Sequence, residues 1–241
     1  MNKLIILNFL LGVLFTSCSL LKDSPKYQLA DGYYRSNIFK KKSKKVYVYN
    51  EEESIRVYPL KKKDGTNSFV VDTSKKSRLS FPQFKSDSLL KTHSFTQGSF
   101  DIDFLTLPFK CRFSTHGFPP QFNSSLLNGA VYLGYRTDMY RLKYKSNPFR
   151  QFIRQKNHYG FSIGAFSGLG GTTMNPWVTK NQISYEYDGI AWSKGISAIV
   201  AIDNFTVGLA VGWDNLLDHN EKYWIYQGQP WLGLAFGLNL N

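Results

Sequence analysis

Between residues 101 and 241, apolar and polar positions alternate with a period of two, which predicts β-strands. The clearest example is the segment FTVGLAVGW. Read as a strand, it places Phe205, Leu209 and Trp213 on one face and leaves Thr, Gly and Ala on the other. A membrane-spanning helix is excluded here, because Asp203 and Asn204 divide the apolar stretch into runs of about eight residues, and a spanning helix needs about 20.

The alternation predicts eight strands, with tight turns at Asp203-Asn204 and at Ser193-Lys194-Gly195. Residues 126–146 can also be read as one long strand. The predicted strands are 102–113, 126–137, 138–146, 158–168, 182–192, 195–202, 205–214 and 230–240.

The two faces of these strands predict an antiparallel membrane-type β-barrel. A soluble barrel fills its interior with bulky side chains, whereas here the bulky apolar face suits lipid and the small or polar face suits the lumen. We expect Leu105 and Leu107 on the lipid side. The alternative is a soluble β-sandwich whose apolar faces meet in a core.

Charged residues inside a narrow barrel must be paired, since an isolated buried charge is strongly unfavourable. The alternation places Glu186 and Asp188 on the inner face. We predict that they pair there with Arg136, Lys110 or Arg112. A small barrel filled in this way is plugged by its own side chains.

This region resembles the outer-membrane β-barrels of Gram-negative bacteria over about 140 residues. All five Trp residues follow residue 176, and most lie near predicted strand ends, where these barrels carry an interfacial aromatic girdle. The resemblance is to the class and implies an outer-membrane location. The last residue, Asn241, departs from the terminal Phe that is usual in the class.

The first 17 residues have the layout of an export signal. A positive start at Lys3 is followed by an apolar stretch from Leu4 to Phe15 and by small residues before Cys18. The segment LFTSC resembles a bacterial lipobox, although Phe15 stands where Leu is usual. This resemblance implies cleavage before Cys18 and its acylation, which would leave Cys111 without a disulfide partner.

Residues 18–100 predict a small, basic, β-rich section with a linker. Residues 19–100 hold 17 Lys and Arg against 8 Asp and Glu, and VYVYNEEESIRVYPL has the pattern of a hairpin. From about Lys75 to Gly98 the composition is typical of a linker. Eight lysines are candidate contacts for an anionic surface or partner: Lys40, Lys41, Lys42, Lys44, Lys45, Lys61, Lys62 and Lys63.

Composition narrows the function. The mean hydropathy of −0.30 excludes a bundle of membrane helices. Because export removes the protein from nucleic acid, we expect no nucleic-acid partner for the lysines. The expected partners are outer-membrane lipid, lipopolysaccharide, cell-wall polymer or another envelope protein. No cofactor and no metal site is predicted, because the sequence contains no phosphate-binding loop and no Cys/His metal pattern.

The sequence favours a structural or interaction role over catalysis. If the protein is an enzyme acting on lipid or peptide at the barrel rim, His219 with Asp218 is the first candidate, and the segment Ser114-Thr115-His116 is another. Neither grouping matches a known nucleophile motif. A third alternative is a soluble, lipid-anchored binding module.

Overall fold

The structure is a computed structural model, and it describes residues 28–39, 43–51, 53–62, 69–74, 78–85, 91–115, 117–125, 128–149, 151–203 and 205–237. Several sequence predictions lie outside the described residues: the signal peptide at 1–17, Cys18, Lys40, Lys41, Lys42, Lys63 and His116.

The described residues form an all-β fold, an antiparallel sheet of thirteen strands with two short 3-10 helices, Trp177–Thr179 and Glu221–Tyr223. The strands are β1 (Gly32–Ser36), β2 (Lys44–Asn50), β3 (Ser54–Lys62), β4 (Phe69–Val71), β5 (Leu79–Pro82), β6 (Phe84–Lys85), β7 (His93–Arg112), β8 (Gln121–Ser124), β9 (Gly129–Ser146), β10 (Phe152–Met174), β11 (Tyr187–Ile202), β12 (Phe205–Leu216) and β13 (Pro230–Gly237).

Six of the described strands form a partial ring, here called the C-terminal ring. From β9 to β13, each strand pairs with the next one along the chain. β7 pairs with β9 along one edge and with β13 along the other. The β13 pairing covers only Leu105–Arg112 of β7, so the ring is closed along part of its length.

The eight predicted strands correspond to these six observed ones. β9 is the single long strand that the sequence allowed over 126–146, and β11 runs without interruption through Ser193, Lys194 and Gly195. The turn predicted at those three residues is therefore wrong. Gly195 has a different role: a Cβ atom there would clash with the Val211 carbonyl oxygen, so the glycine lets β12 approach closely.

The turn predicted between β11 and β12 is confirmed. Ile202 pairs with Phe205 across the hairpin, and Asp203 adopts φ +49°, in the left-handed region that Asp tolerates.

A second ring, here called the N-terminal ring, is built from the front of the chain and the other ends of β7, β9 and β10. β1 pairs with β7, β2 with β1, and β3 with β2. β5 pairs with β3, and β6 pairs with β10. Gln83, between β5 and β6, donates its N–H to the Glu53 carbonyl (2.7 Å) and accepts from the Arg154 N–H (2.9 Å), which joins the two sides.

The predicted hairpin at 46–60 is confirmed as β2 and β3, with Val46 opposite Pro59. Most of the described residues in the expected linker are strand instead, since β5, β6 and the start of β7 lie within 75–98. β7 also crosses the expected domain boundary between residues 100 and 101. The two rings therefore share strands, where the sequence suggested a connecting segment.

The interior of the N-terminal ring is an ordinary apolar core. Aliphatic and aromatic side chains from both the front strands and the shared strands fill it: Leu29, Tyr34, Val46, Val48, Ile55, Val57, Phe81, Phe95, Tyr140 and Leu142. Burial of these groups stabilises the ring in the usual way, by removing apolar surface from water.

Candidate functional site

The outer face of the C-terminal ring carries exposed apolar side chains on every one of its strands, and we call this surface the apolar belt. Exposed apolar residues are normally scattered singly on soluble proteins, whereas here they are contiguous. The belt consists of Phe100, Ile102, Phe104, Phe109, Val131, Leu133, Tyr135, Phe161, Ile163, Leu169, Ile196, Val200, Ile202, Phe205, Leu209, Val211, Leu232 and Leu234.

The upper edge of the belt lies at the same level on β7 and β9. On β7 the outward residues change from Thr96 and Gly98 to Phe100. On β9 they change from Thr137 to Tyr135, which is opposite Phe100 in the register. On these two strands the outer face is therefore mainly polar in the N-terminal ring and apolar in the C-terminal ring.

Tryptophans lie both on and inside the ring, which corrects the expectation that most would form an interfacial girdle. Trp192 and Trp213 lie outside, at the end of the ring far from the shared boundary, and are about 40% exposed. Trp231 and Trp224 are buried and fill the interior instead. The fifth, Trp177, is exposed and packs edge-on against Phe118.

The interior next to the shared boundary holds a buried ionic cluster. Asp138 Oδ1 accepts a hydrogen bond from Arg136 Nε (2.8 Å) and lies 2.7 Å from His158 Nε2. The His158 ring packs on Tyr140, whose side chain belongs to the core of the N-terminal ring. Gly160 makes room for this cluster, since a Cβ atom there would lie 2.8 Å from the Arg136 guanidinium.

The middle of the interior is an apolar layer, and it overturns the prediction for Leu105 and Leu107. Both side chains are buried inside the ring, where they pack with Trp231. A β-bulge causes this: Leu234 pairs with Phe109 while Phe236 pairs with Thr106, so two β7 residues oppose one β13 residue. The bulge shifts the alternation by one position.

Beyond this layer, Asp214 accepts hydrogen bonds from four side chains. Its carboxylate accepts from Lys110 Nζ (3.1 Å), Arg112 Nη2 (2.8 Å), Ser193 Oγ (2.7 Å) and Trp231 Nε1 (2.8 Å). The charged side chains of this cluster are at most about 2% exposed. Pairing offsets the large desolvation penalty of each buried ion.

The far end of the ring is closed by an apolar cap formed by the 3-10 segments. Arg112 lies over the rings of Trp224 (5.1 Å) and Tyr226 (5.3 Å), which stabilise its charge from the cap side. The rest of the cap is Met174, Val178, Ile183, Ala191, Leu216 and Ile225. From one end to the other, the interior is filled by side chains in alternating polar and apolar layers.

The Asp214 cluster contains a serine next to a lysine, 2.7 Å apart, which is the contact a serine nucleophile makes with a lysine base. Such a base must be uncharged to take the proton of the serine. Here Lys110 is ion-paired with Asp214, and Ser193 itself donates to the same carboxylate. The arrangement fits a packed structural cluster.

The structure does not bring the predicted rim catalysts together. The His219 side chain is exposed, while Asp218 accepts from the Tyr187 hydroxyl (2.8 Å) and from the Asn220 backbone N–H (2.8 Å). These contacts hold the loop after β12 in place. Within the described residues, no group of three His, Cys, Asp or Glu could hold a metal ion.

The prediction that Glu186 and Asp188 pair with the buried cations inside the ring is also wrong. Glu186 and Asp188 are both exposed, and Asp188 accepts from Thr173 on the outside of the ring. The buried cations pair with Asp138 and Asp214 instead. Sequence reasoning could have found Asp138, which shares the inner face of β9 with Arg136 two residues away.

Of the lysines proposed to contact anions, four are described, and all four are exposed: Lys44, Lys45, Lys61 and Lys62. Lys61 forms a 2.8 Å ion pair with Asp72. Lys45 lies over the ring of Tyr33, 4.6 Å from its centroid.

Comparison with known proteins gave no match, whether to a protein-family model, to a characterised protein or to a solved structure. The described part of the chain contains no helix that is long and apolar enough to cross a membrane.

Proposed function

We propose that the C-terminal ring is a small β-barrel inserted in the outer membrane, and that the protein is a lipoprotein acylated at Cys18. Its role in this proposal is structural or interactive. The barrel holds the basic N-terminal ring at the membrane surface, where that ring contacts outer-membrane lipid, lipopolysaccharide, cell-wall polymer or another envelope protein.

The apolar belt carries the proposal. A tilted transmembrane β-strand needs about 9–11 residues to cross the hydrocarbon core. On β12 the outward apolar residues run from Phe205 to Trp213, nine positions. On β10 the outward face from Tyr159 to Leu169, eleven positions, is apolar except for Ser167. Water is a poor solvent for such a surface on all sides of a ring, and lipid is a good one.

The layered interior supports a barrel without an open channel. Eight strands already give a lumen that side chains can fill, and six enclose less. Asp138 pairs with Arg136, Asp214 pairs with Lys110 and Arg112, and the apolar layer with Trp231 separates the two clusters. We therefore favour a structural barrel over a pore.

The N-terminal ring supports the second half of the proposal, because it has the features of a water-exposed unit. Its interior is a core of apolar side chains, and the four described lysines proposed to contact anions are exposed. Its outer face also carries exposed aromatic and aliphatic residues, such as Tyr33, Tyr49 and Phe84. Since it shares strands with the barrel, its orientation relative to the membrane is fixed.

The decisive experiment distinguishes anchoring by the acyl group from anchoring by the barrel. Cells that produce the Cys18→Ala variant, which cannot be acylated, are fractionated. We expect the variant to remain in the membrane pellet after alkaline carbonate washing. We also expect it to migrate faster on semi-native gels before boiling than after, since folded membrane barrels resist detergent.

Release of Cys18→Ala by carbonate, with retention of the unaltered protein, would contradict the barrel and leave a lipid-anchored soluble module. The unaltered protein is the matched control for expression and export. Metabolic labelling with radioactive palmitate tests the lipoprotein assignment separately, and label on the unaltered protein but not on Cys18→Ala is the expected result.

A further inference from the structure

A polar cleft of about 540 Å³ lies where the two rings meet, directly beside the upper edge of the apolar belt. We call it the junction cleft. It opens because β1 pairs with β7 only at Arg35–Thr96 and then diverges, while β7 continues into the C-terminal ring. It is lined by Tyr33, Tyr34, Arg35, Lys45, Thr96, Gln97, Gly98, Tyr135 and Thr137.

Two cations face each other in the wall of this cleft. Arg35 and Lys45 are directly opposite in the β1–β2 register, and both are exposed. Like charges in this position repel each other. Among the described residues, neither cation forms an ion pair with a carboxylate, in contrast to Arg56 and Lys61 on the same ring. An anion between the two side chains would relieve the repulsion.

The other wall joins the cleft to the apolar belt. Tyr135 leans over Gly98 on the neighbouring strand, in a space that a Cβ atom on Gly98 would occupy. Phe100 and Leu133 follow immediately on the belt side. A ligand in the cleft would thus have cations above it, a tyrosine hydroxyl beside it and an apolar surface below it.

We propose that the junction cleft binds the phosphate headgroup of an anionic membrane lipid, with Arg35 and Lys45 on the phosphate and the acyl chains along Phe100 and Leu133. Charge-assisted hydrogen bonds from Arg and Lys to phosphate are strong, and Arg can bind it in a bidentate manner. The proposal depends on the proposed membrane insertion, because only insertion places the cleft at headgroup level.

The test measures lipid retention by native mass spectrometry of the full-length protein in micelles containing equal amounts of phosphatidylglycerol and phosphatidylcholine. The unaltered protein should retain phosphatidylglycerol preferentially. In the double variant Arg35→Gln/Lys45→Gln, the ratio of retained phosphatidylglycerol to phosphatidylcholine should fall at least about fivefold. The matched control, Lys44→Gln/Lys62→Gln, removes two exposed lysines of the same ring that do not line the cleft, and should keep the preference.

Two further variants test the charge and the shape of the cleft: Arg35→Lys and Gly98→Ala. The first keeps the cation and should retain most of the preference. The second leaves both cations in place, and its methyl group should displace Tyr135 and reduce the preference. Heat-modifiable migration of each variant shows that the barrel is folded.

Equal preference in the cleft variant and in the lysine control would overturn the proposal, since retention would then reflect net charge alone. Displacement of the lipid by glycerol 3-phosphate at a comparable concentration would also overturn it, by showing a site for soluble anions. These outcomes differ from failure of the membrane proposal itself, in which the Cys18→Ala protein would leave the membrane on carbonate washing whether or not the cleft residues are altered.

Discussion

The two rings share β7, β9 and β10, yet the outer faces of the shared strands differ between them. β9 shows the contrast within one strand: its outward residues are Val131 and Leu133 in the C-terminal ring, and Arg141 and Lys143 in the N-terminal ring. Its backbone pairing continues unchanged between them. The character of the outer face therefore depends on the outward side chains alone and changes within a strand whose pairing is continuous.

The largest expected effect comes from breaking the interior of the C-terminal ring. Asp214→Ala leaves Lys110 and Arg112 buried without their shared carboxylate, which should cost about 3–5 kcal/mol of unfolding free energy. Urea unfolding in detergent measures this. Asp188→Ala, which removes an exposed aspartate from the outside of the same ring, is the control and should change stability by less than about 0.5 kcal/mol.

Because Asp214→Ala could fail to fold, Asp214→Asn provides a milder test that keeps a hydrogen-bond acceptor at the same position. Its urea midpoint should lie above that of Asp214→Ala. It should lie below the midpoints of the unaltered protein and of Asp188→Ala. Equal stability of the Asp214 and Asp188 variants would show that the buried cluster is unimportant to the ring.

A smaller effect should separate the two outer surfaces. Leu209→Arg puts a charge in the apolar belt, where Leu209 is already 58% exposed. In water this exchange is nearly neutral, but at the middle of a bilayer it should cost about 2–4 kcal/mol. Tyr49→Arg on the exposed face of β2 is the control and should be close to neutral.

The measurement is urea unfolding of barrels reconstituted in lipid vesicles. If Leu209→Arg is as stable as Tyr49→Arg under these conditions, the belt does not face lipid, and the contrast between the two outer surfaces loses its explanation.

The smallest effect concerns the N-terminal ring at alkaline pH. Burial raises the pKa of Tyr34 to about 12, and the Tyr34 hydroxyl donates to the Ala30 carbonyl (2.9 Å). Because the folded pKa lies above the unfolded value of about 10, this tyrosine contributes stability that is complete below pH 10 and is lost between pH 10 and 12. At about pH 10.5 the loss should reach roughly 0.8 kcal/mol.

Pulse proteolysis at about pH 7 and pH 10.5, with a protease active at both, measures this loss. Tyr34→Phe should be less sensitive to the change in pH than the unaltered protein. An identical response of both proteins would show that Tyr34 titrates normally and is not held neutral by the core.

Much of the C-terminal ring could be predicted from the sequence, because each outward position keeps one chemical character over many residues. The alternation placed Phe205, Leu209 and Trp213 outside, as observed. It failed where the backbone departs from regular pairing. Pro108 was the available signal for the bulge, since proline cannot donate to a ladder, and bulges are one of the few places where a strand accepts it.

The number of strands was harder to predict because local turn signals compete with long-range pairing. Ser193-Lys194-Gly195 has the composition of a turn, but all three residues pair with both β10 and β12. Ion-pair partners were equally hidden, since Asp214 meets Lys110 only after the ring brings β7 and β12 to the same interior. The junction cleft had no local signal at all, because it arises where β1 leaves β7.

The length of the shared strands has a mechanical consequence. β10 alone has 23 residues, about 75 Å at the usual rise per residue, and it passes through both rings without a hinge. A pull on the N-terminal ring would be carried along β7, β9 and β10 and resisted in shear by their hydrogen-bond ladders. The shared strands therefore couple the two rings mechanically, because a force on one ring reaches the other through hydrogen-bonded strands and not through a linker.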